Sequence, residues 1–286
     1  MARQSSEIAV GRLERSCKDG AGRTARIRAG TAAEGIEWAE AFFRARAFAP
    51  HRHDSYAIGM TVSGVQTFAY RGEGRRCLAG ELHVLHPDET HDGAPGSDDG
   101  FGYRILYVDP ALIGAALGRA SLPFVADPVV ADRSMPAERL RAAIGGVGAP
   151  LDETGVNDLV ITLADALAAM AGTQAKARQA IDGPAVSRVR DALMKEGGVA
   201  TPMAVLEALA GLDRWTLARQ FRAAYGTSPH RFRTMRRLER ARRLMASGAG
   251  LAEASAASGF ADQSHMTRQF KRAYGLTPAR WLKALS

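Results

Sequence analysis

The sequence predicts an α+β chain in which an N-terminal antiparallel β-barrel precedes an all-α domain of two helix-turn-helix subdomains joined by a long helix. Three observations carry this. Short apolar runs broken by turn residues fill residues 35–109, amphipathic helical patterns follow Asp109, and a block of residues recurs at a fixed offset near the C-terminus. At 286 residues the chain exceeds one ordinary domain. The divisions expected are a flexible arm (1–30), a barrel (31–110), a helical connecting or dimerisation region with a linker (111–182) and the helical domain (183–286).

A hydrophobic content of 46% and a charged content of 24% describe an ordinary globular protein. No apolar run reaches about 18 residues, and the start lacks the apolar stretch of a secretion signal. A cytoplasmic protein without membrane contact is therefore expected. Cys17 and Cys77 cannot build a disulfide framework or a cysteine metal site.

Residues 1–30 scatter arginines among Gly, Ser and Ala without a hydrophobic period, hence the arm. Strands are expected at 36–43, 56–62, 65–70, 81–85 and 103–108, separated by Ser63-Gly64, Arg71-Gly72-Glu73-Gly74, Ala79-Gly80 and Pro95-Gly96. Asp109-Pro110 can cap and open a helix. Further helices are expected at 136–144 and at 157–170, where Leu159, Leu163, Ala166, Leu167 and Met170 form a stripe. That stripe serves either a dimer interface or packing against its own barrel. Residues 172–183 read as the linker.

Charge is uneven. Residues 183–286 hold 18 basic against 7 acidic residues, whereas the rest holds 20 against 23. Such asymmetry suits a polyanion partner for the last third, or a solvated basic face. Within it Arg219-Gln220-Phe221, Ala224-Tyr225-Gly226 and Pro229 recur 49 residues later as Arg268-Gln269-Phe270, Ala273-Tyr274-Gly275 and Pro278. Asp213 and Asp262 keep the same register.

In the first unit Thr201-Pro202 is expected to cap a helix with Val205, Leu206 and Leu209 inward. Gly211 ends it, and Asp213 opens a second helix. There Leu217, Phe221 and Ala224 must face the core, leaving Arg214, Trp215, Ala218, Arg219 and Arg222 outward. In the second unit a supporting helix over 251–259 precedes the Asp262 cap. Met266, Phe270 and Ala273 then face inward, and Gln263, Ser264, His265, Thr267, Arg268 and Lys271 outward. A helix so placed can enter the major groove of double-stranded DNA, where Arg bonds guanine and Gln bonds adenine. Base reading is assigned to Arg214, Trp215, Arg219, Gln263, Ser264, His265, Thr267 and Arg268. Between the units 229–247 reads as one helix with Phe232, Met235, Leu238 and Met245 on one side. Arg222, Arg231, Arg237 and Lys271 are expected on phosphates.

These segments resemble the AraC/XylS family of bacterial regulators. The resemblance rests on Leu217-Ala218-Arg219-Gln220-Phe221-Arg222, on Tyr225-Gly226-Thr227-Ser228-Pro229 and on the run from Arg236 to Leu244. It continues through Ser258-Gly259-Phe260-Ala261-Asp262-Gln263-Ser264-His265-Met266-Thr267-Arg268-Gln269-Phe270-Lys271-Arg272 and Tyr274-Gly275-Leu276-Thr277-Pro278. It covers about residues 185–283 and implies paired helix-turn-helix subdomains that bind promoters. Met266 departs from the aromatic residue common there. Upstream, the Pro50–Tyr56 and Gly80–His91 segments resemble the cupin-type sensor domain of such regulators, which implies a barrel holding a small effector.

His51, His53, Tyr56, His91 and Arg104 are the pocket candidates. Tyr103 and Arg104 alternate on one strand, so one of the two faces inward. Cupin enzymes add a carboxylate to a His-x-His pair and a later His. Here that position falls near Ala57 and Ile58, which cannot ligate, so no metal or other cofactor is expected at His51, His53 and His91. Those histidines line a pocket or are satisfied within the fold. The expected partners are DNA, a small-molecule effector, a second copy of the chain and RNA polymerase. A metalloenzyme fused to a DNA-binding module, and a constitutive DNA binder whose barrel only dimerises, are the alternatives.

Overall fold

The computed structural model describes residues 17–18, 24–44, 48–118, 122–171, 181–195 and 201–285. Its N-terminal half is built on ten strands among the described residues. They are β1 (Cys17–Lys18), β2 (Thr24–Ala33), β3 (Ile36–Phe43), β4 (Phe48–His51), β5 (Tyr56–Tyr70), β6 (Glu73–Leu78), β7 (Leu82–Leu85), β8 (His91–Pro95), β9 (Phe101–Val108) and β10 (Val129–Val130). All pairings are antiparallel, in the order β1-β2-β3-β9-β5-β7-β10. The 15-residue β5 explains the closure. Its first half pairs with β7 and β9, its second half with β6 and β8, and β4 adds to β8, so the sheet folds over itself.

Strand alternation then divides the side chains between two cores. Ala41, Phe43, Ala57, Phe68, Tyr70, Leu85, Phe101, Tyr103 and Ile105 fill the inside of the fold-over. Ile36, Trp38, Tyr56, Ile58, Leu82, Val84, Leu106 and Val108 face the other way. Three helices cover that second face: α1 (Pro110–Ala116), α2 (Met135–Gly146) and α3 (Glu153–Ala171). Asp109 caps α1 by accepting from Ala111 N at 2.8 Å, as its Asp-Pro sequence predicts.

The α3 stripe is occupied by the chain's own core. Leu159, Leu163, Ala166 and Leu167 are buried there, with Met170 packed against them. Helix α3 is long and apolar enough to cross a membrane, but this face lies inside the protein.

The barrel is wider than residues 31–110. Residues 24–30, expected in the arm, form most of β2, because Arg26 to Thr31 pair with Glu37 to Phe42. Strand β10 lies within the region expected to be helical and pairs with β7. Most of the expected arm, and residues 172–180 of the expected linker, lie outside the described residues.

The C-terminal part comprises α4 (Gly183–Lys195), α5 (Met203–Ala210), α6 (Arg214–Tyr225), α7 (Pro229–Ala246), α8 (Leu251–Ala257), α9 (Gln263–Tyr274) and α10 (Pro278–Leu285). Two separate cores divide it. One gathers Ala185, Val186, Val189, Leu193, Leu206, Leu217, Phe221 and Phe232. The other gathers Met235, Leu238, Ala241, Met245, Ala254, Phe260, Met266 and Phe270. Helix α7 contributes to both and links them. Gly226 and Gly275 end α6 and α9 at φ +72° and +70°, the left-handed turn that glycine adopts without strain.

Two local expectations need correction. Thr201 does not cap α5: Pro202 holds the cap position without a side-chain bond, and the Thr201 carbonyl accepts from Arg233 instead. Val205 and Leu209 are exposed at 45% and 39%, whereas Leu206 is buried. The missed helix α4 provides the reason, since α5 presents Leu206 and Ala210 to the α4 core and turns its other side to solvent.

Candidate functional site

Helices α6 and α9 both start from a carboxylate cap. Asp213 accepts from Trp215 N and Thr216 N at 3.0 and 3.1 Å, and Asp262 accepts from His265 N at 2.6 Å. Hydrogen bonds to Thr216 hold the Asp213 carboxyl below its ordinary value, so the cap stays charged opposite the positive helix end. With Leu217 and Phe221 buried, α6 turns Arg214, Trp215, Arg219 and Arg222 to solvent. Trp215 is 72% exposed, an unusual placement for a large indole. Helix α9 buries Met266, Phe270 and Ala273 and exposes Gln263, Ser264, Arg268 and Lys271. His265 and Thr267 are half-buried, the His265 ring standing edge-on to Phe260.

The expected phosphate contacts divide. Arg222 and Lys271 are exposed, while Arg237 is half-buried beside Arg233. Arg231 is turned towards the barrel, where it forms an ion pair with Asp88 and is only 15% exposed. As the chain stands folded, Arg231 is therefore not available to a phosphate. The loop carrying Asp88 competes for it, which its place in the sequence does not reveal.

Inside the barrel His51, His53 and His91 come together. Ring centroids lie 4.4 Å apart for His51 and His91, 4.8 Å for His53 and His91, and 6.2 Å for His51 and His53. Each Nδ1 sits 2.9–3.0 Å from a backbone carbonyl two residues away, on Ala49, Ser55 and Glu89 respectively. A carbonyl only accepts, so each Nδ1 carries the proton and each Nε2 keeps a lone pair. The buried Nε2 of His53 has no partner. Burial keeps all three rings neutral, pushing His53 down to about 3. Such a set can accept hydrogen bonds from a ligand. Among the described residues, no group of three or more His, Cys, Asp or Glu side chains is arranged to hold a metal ion.

The other two pocket candidates lie elsewhere. Tyr56 belongs to the core under α1 to α3 and donates to the Pro123 carbonyl at 2.6 Å. Arg104 points out of the barrel, ion-paired with Glu40 and donating to the Gly145 carbonyl at 3.0 Å. Tyr103 takes the inward place, because β9 alternates and its odd-numbered residues Phe101, Tyr103 and Ile105 face that core.

Two interior residues escaped the sequence reading. Tyr107 stands edge-on to His53 at 5.3 Å, and His83 lies within the same interior beside Phe68 and Tyr103. The available signal was Gly59, which pairs with His83 across β5 and β7 and leaves room for its ring. An open cavity of about 440 Å³ borders this group at His91 and is lined by Arg52, Tyr70, Arg71 and Asp88 among others.

His83 supports a pH prediction. Burial lowers its pKa from 6.5 to about 4, and both ring nitrogens are unpartnered. The unfolded chain takes up a proton as the pH falls through about 6.5, whereas the folded chain resists until about 4. His83 therefore adds no pH dependence above that window, and stability falls with acidification through it. Urea midpoints measured across the window should fall less steeply for His83→Gln than for the parent; equal slopes would remove His83 from the account.

Comparison with known proteins agrees with this two-part arrangement. Residues 35–164 match the family model described as an AraC-like ligand binding domain, and residues 206–284 match a helix-turn-helix domain model. An uncharacterized HTH-type transcriptional regulator, YbfI of Bacillus subtilis (strain 168), is 26% identical over 227 residues, covering 77% of this chain and 81% of that protein. ToxT from Vibrio cholerae O395 superposes with a TM-score of 0.61 at 11% identity, over 89% of this chain and 99% of ToxT. ToxT of strain SCE256, solved with a bound unsaturated fatty acid, gives 0.60 at 14% identity, over 92% and 95%. At these identities the likeness to ToxT shows the fold.

Proposed function

Because this chain is a DNA-binding regulator of the AraC type with an N-terminal ligand-binding domain, we propose that α6 and α9 read two half-sites in successive major grooves, under control of a small effector held by the barrel. Groove readers on one face of DNA sit about 34 Å apart, one helical turn. The observation that carries the reading is the outward presentation of Trp215, Arg219 and Arg268 on two helices whose inner faces are buried in the same register. Arg214, Trp215 and Arg219 contact bases in one groove, and Gln263, Ser264, His265, Thr267 and Arg268 in the next. Arg222, Arg237 and Lys271 hold phosphates, and Arg231 joins them if the barrel releases it.

The effector site lies at His51, His53 and His91, where neutral rings offer acceptors to a ligand donor. ToxT with its bound unsaturated fatty acid supports a small organic ligand for this domain. An effector that binds one arrangement of the chain more tightly than another shifts the population between them. The regulator works in the cytoplasm as a homodimer, contacts RNA polymerase at its promoters and carries out no catalysis.

Arg219→Ala and Arg268→Ala should each cost about 1–3 kcal/mol of binding and relax preference at particular bases. Arg237→Ala should weaken binding uniformly and make the salt dependence shallower. Titrations on a fragment selected by the parent protein, and on its scrambled version, distinguish these outcomes. Identical behaviour of the three variants would sink the groove-reading assignment.

A further inference from the structure

The barrel meets the helical domain at two places that correspond within the duplication. Leu122 N donates to the Ala223 carbonyl at 3.3 Å, and Arg52 N donates to the Arg272 carbonyl at 3.1 Å. Ala223 and Arg272 are 49 residues apart, the period of the repeat. The glycines that end the two reading helices are seated in the same way. A Cβ on Gly226 would lie 2.4 Å from Pro87, and one on Gly275 would lie 3.3 Å from the Ala49 carbonyl and the His51 ring. The barrel thus touches α6 and α9 at equivalent C-terminal positions, away from the residues at their N-terminal ends.

Ion pairs close the space between these two contacts. Asp88, in the left-handed conformation at φ +65°, binds Arg231 and lies 3.6 Å from Arg222. Its own amide donates to the His53 carbonyl at 2.7 Å. Arg231 also donates to the Arg52 carbonyl at 2.8 Å. Further along α7, Arg236 pairs with Asp54 at 2.8 Å and Arg242 with Glu37 at 2.7 Å. A helix joined to its neighbours only through separate cores can pivot; a second body bound at both ends of the span removes that freedom.

We infer that the barrel sets the separation of the two reading helices by gripping both duplicated units at the same repeat position, with Asp88 and Asp54 as positioning residues. Segments 49–54 and 86–91 do the gripping, joined by Leu122 between α1 and β10, and the two segments also carry His51, His53 and His91. A ligand that moves those rings therefore moves the seats of α6 and α9. The inference rests on the assignment of α6 and α9 as readers only for its consequence, since the separation itself is measurable without DNA.

The test uses the full chain with Cys17→Ser and nitroxide labels at Ala208→Cys and Ala257→Cys. These positions are exposed, lie on α5 and α8, and are also 49 residues apart. Electron-spin distance measurements should give one narrow distribution for the parent. It should broaden or shift by several ångströms in Asp54→Asn with Asp88→Asn. Arg231→Gln with Arg236→Gln removes the same pairs from the helical side and leaves the barrel loops intact, so it must do the same. An unchanged distribution in either pair of variants overturns the inference. On a DNA fragment with both half-sites Asp54→Asn with Asp88→Asn, which leaves every arginine in place, should lose at least tenfold in affinity while keeping single half-site binding. A distance that responds in a parent that binds no DNA would instead overturn the groove-reading proposal and leave this one standing.

Discussion

Phe221→Ala and Phe270→Ala should each remove about 3–5 kcal/mol from the stability of its own helix-turn-helix unit, the range for truncating a buried phenylalanine. Both rings are fully buried. Phe221 packs on Tyr225 and Phe232 with centroids 4.7 and 5.7 Å apart, and Phe270 packs on Tyr274 and Trp281 at 4.6 and 5.8 Å. Each partner of Phe270 stands 49 residues after a partner of Phe221, so the duplication preserves an aromatic triad as well as a motif. Because the two cores are separate, the damage should stay local. Peptide-resolved hydrogen exchange should show lost protection over α4 to α6 for Phe221→Ala and over α8 to α10 for Phe270→Ala. Urea unfolding that finds less than about 1 kcal/mol in both, against the expected range, would contradict the packing described.

The other large effect is expected in the barrel. A Cβ added at Gly59 would stand 2.2 Å from His83 Nε2, 2.4 Å from Cε1 and 3.0 Å from the Arg104 carbonyl. Neither neighbour yields easily, because His83 is enclosed by Phe68 and Tyr103 and Arg104 is held in a β-ladder. Gly59→Ala should therefore destabilise the barrel by about 3 kcal/mol, the upper part of the range for overpacked cores. Truncating His83 clears that space, and its unpartnered nitrogens mean that no hydrogen bond is lost with it. The double variant Gly59→Ala with His83→Ala should then be closer to His83→Ala alone than the single costs add up to. Additive losses in a double-mutant cycle would show that the two positions do not compete for one volume.

How much was legible varied with the range of the information. Helices α6, α7 and α9 were legible in the sequence, since the Asp213 and Asp262 caps, the opening Pro229 and the 3.6-residue apolar period are local signals. The strands at 36–43 and 103–108 were equally plain. Strands β4, β6 and β8 were not, because they carry Arg, Pro and Gly and owe their state to pairing with β5 and with one another. Helix α4 was missed for a similar reason: its Val186, Val189 and Leu193 acquire meaning only against α5 and α6. In the barrel the His-x-His pair and the later His91 were singled out through the resemblance to cupin domains. The orientation of Arg104 was not, since the choice between Tyr103 and Arg104 depends on which face of β9 meets the enclosed core.

By itself the sequence determined the chemistry that short segments carry: the duplicated helices α6 and α9, their arginines and Trp215, and a histidine-bearing barrel ahead of them. Tertiary structure alone decided which of those groups are free and which hold each other. Arg231 and Arg236 look the same as any arginine on α7 until Asp88 and Asp54, nearly 150 residues or more away in the chain, are brought against them. A periodic pattern fixes which side of a helix is apolar, but the partner of a charge is chosen by folding, which sets distances between residues that the order of the chain leaves independent.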